Sequence, residues 1–145
     1  MIRALAKIVA GGLFLALLSG PEAKADNHSI TVTVIDLGNP SESVIGQGLS
    51  NPAGEPVFKA LKIIIPPGTT SSLHQHEANS FAYVLEGTLE VDYGSKGKKR
   101  FGPGQGCLEA VNFCHKGRAV SEAPVMVIVL YLGTPSLKNT VACEE

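Results

Sequence analysis

Residues Gly68–Gly87 read GTTSSLHQHEANSFAYVLEG and combine two histidines one residue apart with an apolar segment and a closing glycine. Successive side chains of a strand point to opposite faces, so His74 and His76 share one face if this segment is extended. Two imidazoles side by side on an inward-facing surface can bind one metal ion. An isolated His-x-His pair is weak evidence for such a site, so the rest of the sequence decides the interpretation.

Apolar segments of strand length recur along the chain and predict an all-β fold. Strands are predicted at residues 30–34, 58–65, 81–85, 88–93 and 105–111. Pro124–Leu132 is a continuous apolar run rich in β-branched residues, which is typical of a strand buried on both faces. The segment 37–56 is rich in Gly, Pro, Ser and Asn and predicts loops, with at most a short strand at Val44–Ile45. Short strands about ten residues apart, with turns between them, indicate an antiparallel sandwich or barrel.

The composition excludes several classes of protein. The chain has 145 residues, 12 basic and 13 acidic side chains and a net charge of −1. Such a charge argues against a nucleic-acid-binding protein, which usually has a basic face. The sequence contains no GxxxxGK, GxSxG, CxxC or HExxH motif. Glu86, Glu90 and Asp92 lie near a predicted turn and are expected to be solvated acids rather than a catalytic pair.

The N-terminus has the pattern of a secretory signal peptide. Arg3 and Lys7 precede an apolar stretch of about eleven residues, and Ala23-Lys-Ala25 supplies an A-x-A cleavage site. The apolar stretch is shorter than the roughly 20 residues that a membrane-spanning helix needs. We therefore predict cleavage after Ala25, export to the periplasm or the medium, and no stable membrane anchor. An uncleaved N-terminal anchor is the alternative.

The spacing around the histidines continues into a second motif. Residues 68–87 follow the pattern G-x5-H-x-H-x3-E-x6-G at every named position except the glutamate. Residues 104–119 follow G-x5-P-x-G-x2-H-x3-N in their first glycine and in His115. These are the two cupin motifs, and the chain resembles a small single-domain cupin. The resemblance implies an antiparallel double-stranded β-helix, or jelly-roll barrel. The predicted organisation is a signal peptide at 1–25, an N-terminal strand and loops at 26–56, the cupin domain at 57–135 and a C-terminal tail at 136–145.

The resemblance also implies a metal site in the barrel, held by His74, His76 and His115. The glutamate of the first motif is replaced by Ser80, and the Pro, Gly and Asn of the second motif are also replaced. Three neutral imidazoles would leave a divalent ion with an open coordination position. Ser80 and Glu77 are candidates for supporting the site from outside the ligand set. The alternative is a barrel whose histidines only form hydrogen bonds inside its cavity.

Two functions remain open. The resemblance to three-histidine cupins implies dioxygenase-type chemistry on a small organic molecule at a divalent Fe, Mn, Zn, Ni or Cu ion. The alternative is a non-enzymatic periplasmic protein that binds a small ligand or a metal. The expected partner is a small molecule and not a nucleic acid. The resemblance to cupins also implies that the chain forms a homodimer. The fold alone does not choose between an enzyme and a binding protein.

Three cysteines, Cys107, Cys114 and Cys143, lie in the predicted exported part. In an oxidising compartment an odd number allows one internal disulfide and leaves one thiol. The cysteines could be small buried hydrophobic residues. Cys143 could instead pair with Cys107 or Cys114, and a metal or redox role is a third interpretation.

Overall fold

The protein is described by a computed structural model, which covers residues 34–36, 38 and 40–144. The predicted signal peptide, His28 and all but the last residue of the strand predicted at 30–34 lie outside this range. Within it the chain forms nine strands and a short 3-10 helix at Gly94–Lys96. No helix in the described residues is long and apolar enough to cross a membrane. The predicted all-β fold implies little helix, and the described part of the chain contains only this three-residue helix.

The strands, in chain order, are β1 (Val57–Ile65), β2 (His74–Gln75), β3 (Asn79–Glu86), β4 (Leu89–Asp92), β5 (Lys98–Phe101), β6 (Gly106–Leu108), β7 (Lys116–Ala119), β8 (Val125–Gly133) and β9 (Val141–Ala142). They form a four-stranded sheet of order β1-β8-β3-β6, a three-stranded sheet of order β5-β4-β7 and the pair β2-β9. Every pairing between these strands is antiparallel. The predicted antiparallel all-β jelly-roll fold is confirmed.

The strand β8 organises the larger sheet. It pairs along its whole length with β1 and along most of its length with β3, so Val129 has Leu61 on one side and Ala82 on the other. Alternate residues of β8 are buried: Val125, Val127, Val129 and Tyr131. Burial of this apolar row removes it from water and supplies a large part of the driving force for closing the barrel.

The structure agrees with the prediction for one segment and contradicts it for another. At most a short strand was expected at Val44–Ile45, and these residues form a turn, because the Gly46 amide donates to the Ser43 carbonyl oxygen (2.9 Å) and reverses the chain. The β8 run is buried on one face only, and Leu130 on the other face is 47% exposed. A β-branched run fits a strand with neighbours on both sides, but it does not show whether a second layer covers the outer face.

The C-terminal segment returns to the barrel and pairs with the first histidine strand. In this pairing His74 lies opposite Ala142, and the Cys143 amide donates to the Leu73 carbonyl oxygen (3.1 Å). A disulfide joins Cys114 to Cys143, whereas Cys107 is a free, partly buried thiol. Of the alternatives left open, the disulfide from Cys143 to Cys114 is the one that forms, and Cys107 is the remaining thiol.

Candidate metal centre

The backbone places two histidines opposite each other on neighbouring extended segments. His74 and His115 exchange two backbone hydrogen bonds, with N···O distances of 3.0 and 2.8 Å. Side chains of directly opposed residues lie on the same face of an antiparallel pair. His76 is two residues beyond His74 and returns to that face, as its spacing predicts. Its carbonyl oxygen accepts a hydrogen bond from the Asn112 amide (2.7 Å), which ties this segment to the loop before His115.

Each of the three imidazoles is oriented by a main-chain carbonyl group. The Nδ1 atoms of His74, His76 and His115 donate to the carbonyl oxygens of Ser72, Asn139 and Phe113, at 2.8, 2.6 and 2.8 Å. A carbonyl oxygen can only accept, so these bonds place a proton on Nδ1. In a neutral ring the lone pair is then on Nε2, which is the form in which histidine binds a metal.

The three rings converge on one small volume. Their centroids are 4.6–5.1 Å apart. One ligand atom from each histidine can be chosen so that all three lie within 4.8 Å of one another. His76 and His115 are only 3% and 2% exposed. The structure therefore brings together all three predicted ligands, and their nitrogen donors suit a first-row divalent ion.

The histidines line a cavity of about 210 Å³ inside the barrel. Its other walls are mainly apolar side chains from the two larger sheets: Ile63, Ile65, Ala82, Leu89, Val91, Val127 and Val129. Thr69, Ser71 and Tyr131 add hydroxyl groups. A larger groove of about 510 Å³ includes Phe58 and Leu130, but the histidines do not line it. The three candidate ligands thus line the smaller, interior cavity.

A carboxylate that the sequence analysis missed also lines this cavity. Glu109 Oε2 lies 2.8 Å from His76 Nε2 and 3.8 Å from His115 Nε2. Glu109 follows β6 and is 8% exposed. The sequence analysis named only Ser80 and Glu77 as supporting residues and did not include this acid. A signal was present in the sequence, because Glu109 is the one acid in the otherwise uncharged predicted strand 105–111.

The protonation of Glu109 and that of the neighbouring histidines depend on each other. Burial opposes a charge on His76, but the hydrogen bond and the negative charge of Glu109 raise its pKa above the usual histidine value. Burial likewise opposes ionisation of Glu109, but the hydrogen bond from His76 lowers the pKa of this carboxyl group. Burial lowers the pKa of His115. Burial and the charge of Glu109 raise the pKa of the Cys107 thiol to about 12, so it stays protonated near neutral pH.

The two residues proposed to support the site have different positions. Ser80 is 2% exposed, and its Oγ has no hydrogen-bond partner. Glu77 is not part of the cluster, because its carboxylate accepts a hydrogen bond from the Lys138 amide (2.7 Å) and its own amide donates to the Lys138 carbonyl oxygen (3.1 Å). Glu77 therefore anchors the C-terminal segment.

Comparison with known families agrees with this geometry. A sequence model described as the cupin domain matches residues 61–131. These residues form a cupin domain. The match contains β3, β4 and β6, together with all three histidines and Glu109. No curated protein matches the chain in sequence.

Solved cupin structures resemble the chain over part of their length. The DMSP lyase DddQ from Ruegeria pomeroyi is 26% identical with a TM-score of 0.52, covering 59% of this chain and 42% of that one. A sugar phosphate isomerase from a cupin superfamily in Silicibacter pomeroyi is 25% identical with a TM-score of 0.50, covering 68% and 60%. The polyketide cyclase RemF from Streptomyces resistomycificus is 21% identical with a TM-score of 0.50, covering 64% and 66%. The chain thus spans less than two thirds of the lyase and of the isomerase.

Proposed function

We propose that this cupin is exported and binds a divalent metal ion through His74, His76 and His115, and that it acts as an enzyme on a small organic molecule. The observation that carries the proposal is the common orientation of the three rings. Each Nδ1 is bonded to a carbonyl oxygen, so each ring in its neutral form offers its Nε2 lone pair to the same small volume. His76 does so when a metal ion displaces the Nε2 proton that it shares with Glu109. Three imidazoles fixed in this way fit a metal better than a set of rings bonded to one another.

The cavity supports a small substrate. Its volume of about 210 Å³ corresponds to about seven water molecules at their liquid volume of about 30 Å³. The apolar walls around the histidines exclude water, which strengthens electrostatic interactions with a bound molecule. Thr69 and Tyr131 line the same space, and their hydroxyl groups can orient polar groups of the substrate.

A metal bound here would supply Lewis-acid polarisation of an oxygen-bearing substrate or a site for oxygen chemistry. This chain's own residues would hold the ion, orient the substrate through the hydroxyl groups and exclude bulk water. The two structural relatives at 25–26% identity are described as a lyase and as an isomerase. Their descriptions support an enzyme over a non-enzymatic binding protein.

Metal content and affinity test the first part of the proposal. Protein isolated from the periplasm should contain close to one equivalent of a first-row metal per chain, measured by mass spectrometry of the elements. His74→Ala and His115→Ala should each abolish stoichiometric binding, because both remove a fixed nitrogen donor. Lys116→Ala is the matched control, since Lys116 adjoins His115 but is exposed. A wild-type protein that neither contains nor rebinds metal contradicts the proposal.

Turnover tests the second part. The metal-loaded protein would be incubated with a panel of small hydroxy, keto and thiol acids, with oxygen consumption and product formation followed together. Dioxygenase-type activity that disappears in His115→Ala supports the enzyme. Saturable binding that stabilises the loaded protein without any product would instead support the non-enzymatic binding protein. Export is tested separately by intact mass, and an exported protein that retains residues 1–25 contradicts the predicted cleavage.

A further inference from the structure

The surroundings of Glu109 differ from those of an ordinary buried acid. Its carboxylate is nine-tenths covered, and the ion pairs it makes within the described residues are with His76 and His115, not with lysine or arginine. Transfer of a carboxylate into a protein interior is costly unless a positive charge compensates it. Imidazoles that serve as metal ligands are neutral. In the loaded protein the compensating charge must therefore come from the ion itself.

The position of the carboxylate relative to the histidines also matches a ligand. Glu109 Oε2 approaches the Nε2 atoms of His76 and His115, which are the atoms left free by the bonds at Nδ1. Ligand atoms about 2.1 Å from one ion lie about 3.0–3.4 Å apart at angles between 90° and tetrahedral. The observed separations of 2.8 and 3.8 Å lie on either side of that range. A small side-chain adjustment would place Oε2 in one coordination sphere with these nitrogens.

The backbone explains why this acid reaches the site. In the β3-β6 pairing Phe81 lies opposite Leu108, and the Glu109 amide donates to the Ser80 carbonyl oxygen (2.9 Å). Ser80 and Glu109 are thus direct neighbours across two antiparallel strands. Side chains in this relation lie on the same face with Cβ atoms about 5 Å apart. The small Ser80 side chain leaves space that the longer glutamate can occupy.

We infer that Glu109 is a fourth metal ligand, so that the ion is held by three imidazoles and one carboxylate. This inference rests on the proposed function, because it assumes that the histidines bind a divalent ion. The carboxylate offsets one of the two positive charges and occupies one coordination position. The site then favours a hard to borderline first-row cation over Cu(I), which prefers thiolate and thioether ligands.

The test compares Co²⁺ affinity and the visible absorption of bound Co²⁺ in purified, metal-free protein. Glu109→Gln removes the charge at nearly constant volume. Glu86→Gln is the control, because Glu86 is an acid at the end of β3 whose side chain is exposed. A double variant, Ser80→Glu with Glu109→Ser, moves the carboxylate to the opposite strand at the same face of the cavity. Thermal unfolding of each metal-free variant establishes that it is folded.

The expected loss of Co²⁺ affinity in Glu109→Gln is at least about tenfold, the smallest effect reported for partners that only support a ligand. Its Co²⁺ absorption should also change, whereas Glu86→Gln should match the wild type in both measurements. The double variant should regain most of the affinity. If Glu109→Gln does not fold, the double variant and Glu109→Ser alone provide the same comparison.

The outcomes separate this inference from the proposed function. Equal affinity and equal spectra in the wild type and Glu109→Gln overturn Glu109 as a ligand but leave the three-histidine site intact. A folded double variant as weak as Glu109→Ser overturns the argument from the cross-strand position. A wild-type protein that binds no Co²⁺, Zn²⁺ or Fe²⁺ overturns both the inference and the proposed function.

Discussion

Removing the disulfide between Cys114 and Cys143 is expected to lower both the stability of the fold and the affinity of the metal site. The bond fastens the segment that contains β9 next to His115, and that segment also supplies the Asn139 carbonyl oxygen that orients His76. Cys143→Ser removes the bond without adding volume. The same change can be produced in the wild type with a reductant.

The size of the effect follows from the length of chain that the bond closes. The two cysteines are 29 residues apart in sequence, and closing a loop of about 30 residues restricts the unfolded chain by about 3.6 kcal/mol. For a domain of this size that free energy corresponds to a decrease in Tm of roughly 10–15 °C. Loss of the carbonyl contact to His76 should weaken metal binding in addition, by about tenfold or more.

Thermal unfolding followed by circular dichroism, with and without reductant, measures the first effect, and calorimetric titration with Co²⁺ measures the second. Cys107→Ser is the control, since Cys107 is a free thiol and its variant should retain the response to reductant. The reasoning is refuted if Cys143→Ser unfolds within a few degrees of the wild type. A lower Tm with unchanged Co²⁺ affinity would show that the bond stabilises the barrel without orienting His76.

Three further changes test other parts of the structure. Arg100 and Lys98 lower the pKa of Glu90, so its contribution to stability is present above its ordinary pKa and is lost as the pH falls through the depressed one. Glu90→Gln should therefore lower Tm at about pH 7, and this difference in Tm should shrink as the pH is lowered below about 4. Gly106→Ala places a Cβ 2.9 Å from the Ala82 carbonyl oxygen and should destabilise the fold by about 1–3 kcal/mol in urea unfolding. Val127→Ala removes methyl groups from a side chain that is 3% exposed, with an expected cost of about 2 kcal/mol in the same assay. A pH-independent effect of Glu90→Gln, or an unchanged free energy of unfolding in Gly106→Ala or Val127→Ala, would contradict the corresponding argument.

The strands that the sequence predicted correctly are those with a strong apolar pattern. The runs that became β1, β3 and β8 were located to within about two residues, because burial of one side requires alternation or a continuous apolar stretch. The strands β2 and β7 are short and polar, and β9 consists of only Val141 and Ala142. The pairing of all three is set by distant segments. Local composition contains little information about such strands. Glu90, expected to be solvated, is 9% exposed because β4 lies between β5 and β7, which the sequence did not reveal.

By itself the sequence determined the class of fold and three members of the candidate site. His74 and His76 share a face because of the period of a strand, and the distance to His115 within the second motif identified the third histidine. The tertiary structure decided which acid accompanies them. Ser80 and Glu109 are 29 positions apart, and only the register of β3 against β6 makes them neighbours. It also decided that Cys114, rather than Cys107, pairs with Cys143. Both results depend on how distant segments align across a sheet, and that alignment is fixed by packing of the whole barrel rather than by local sequence.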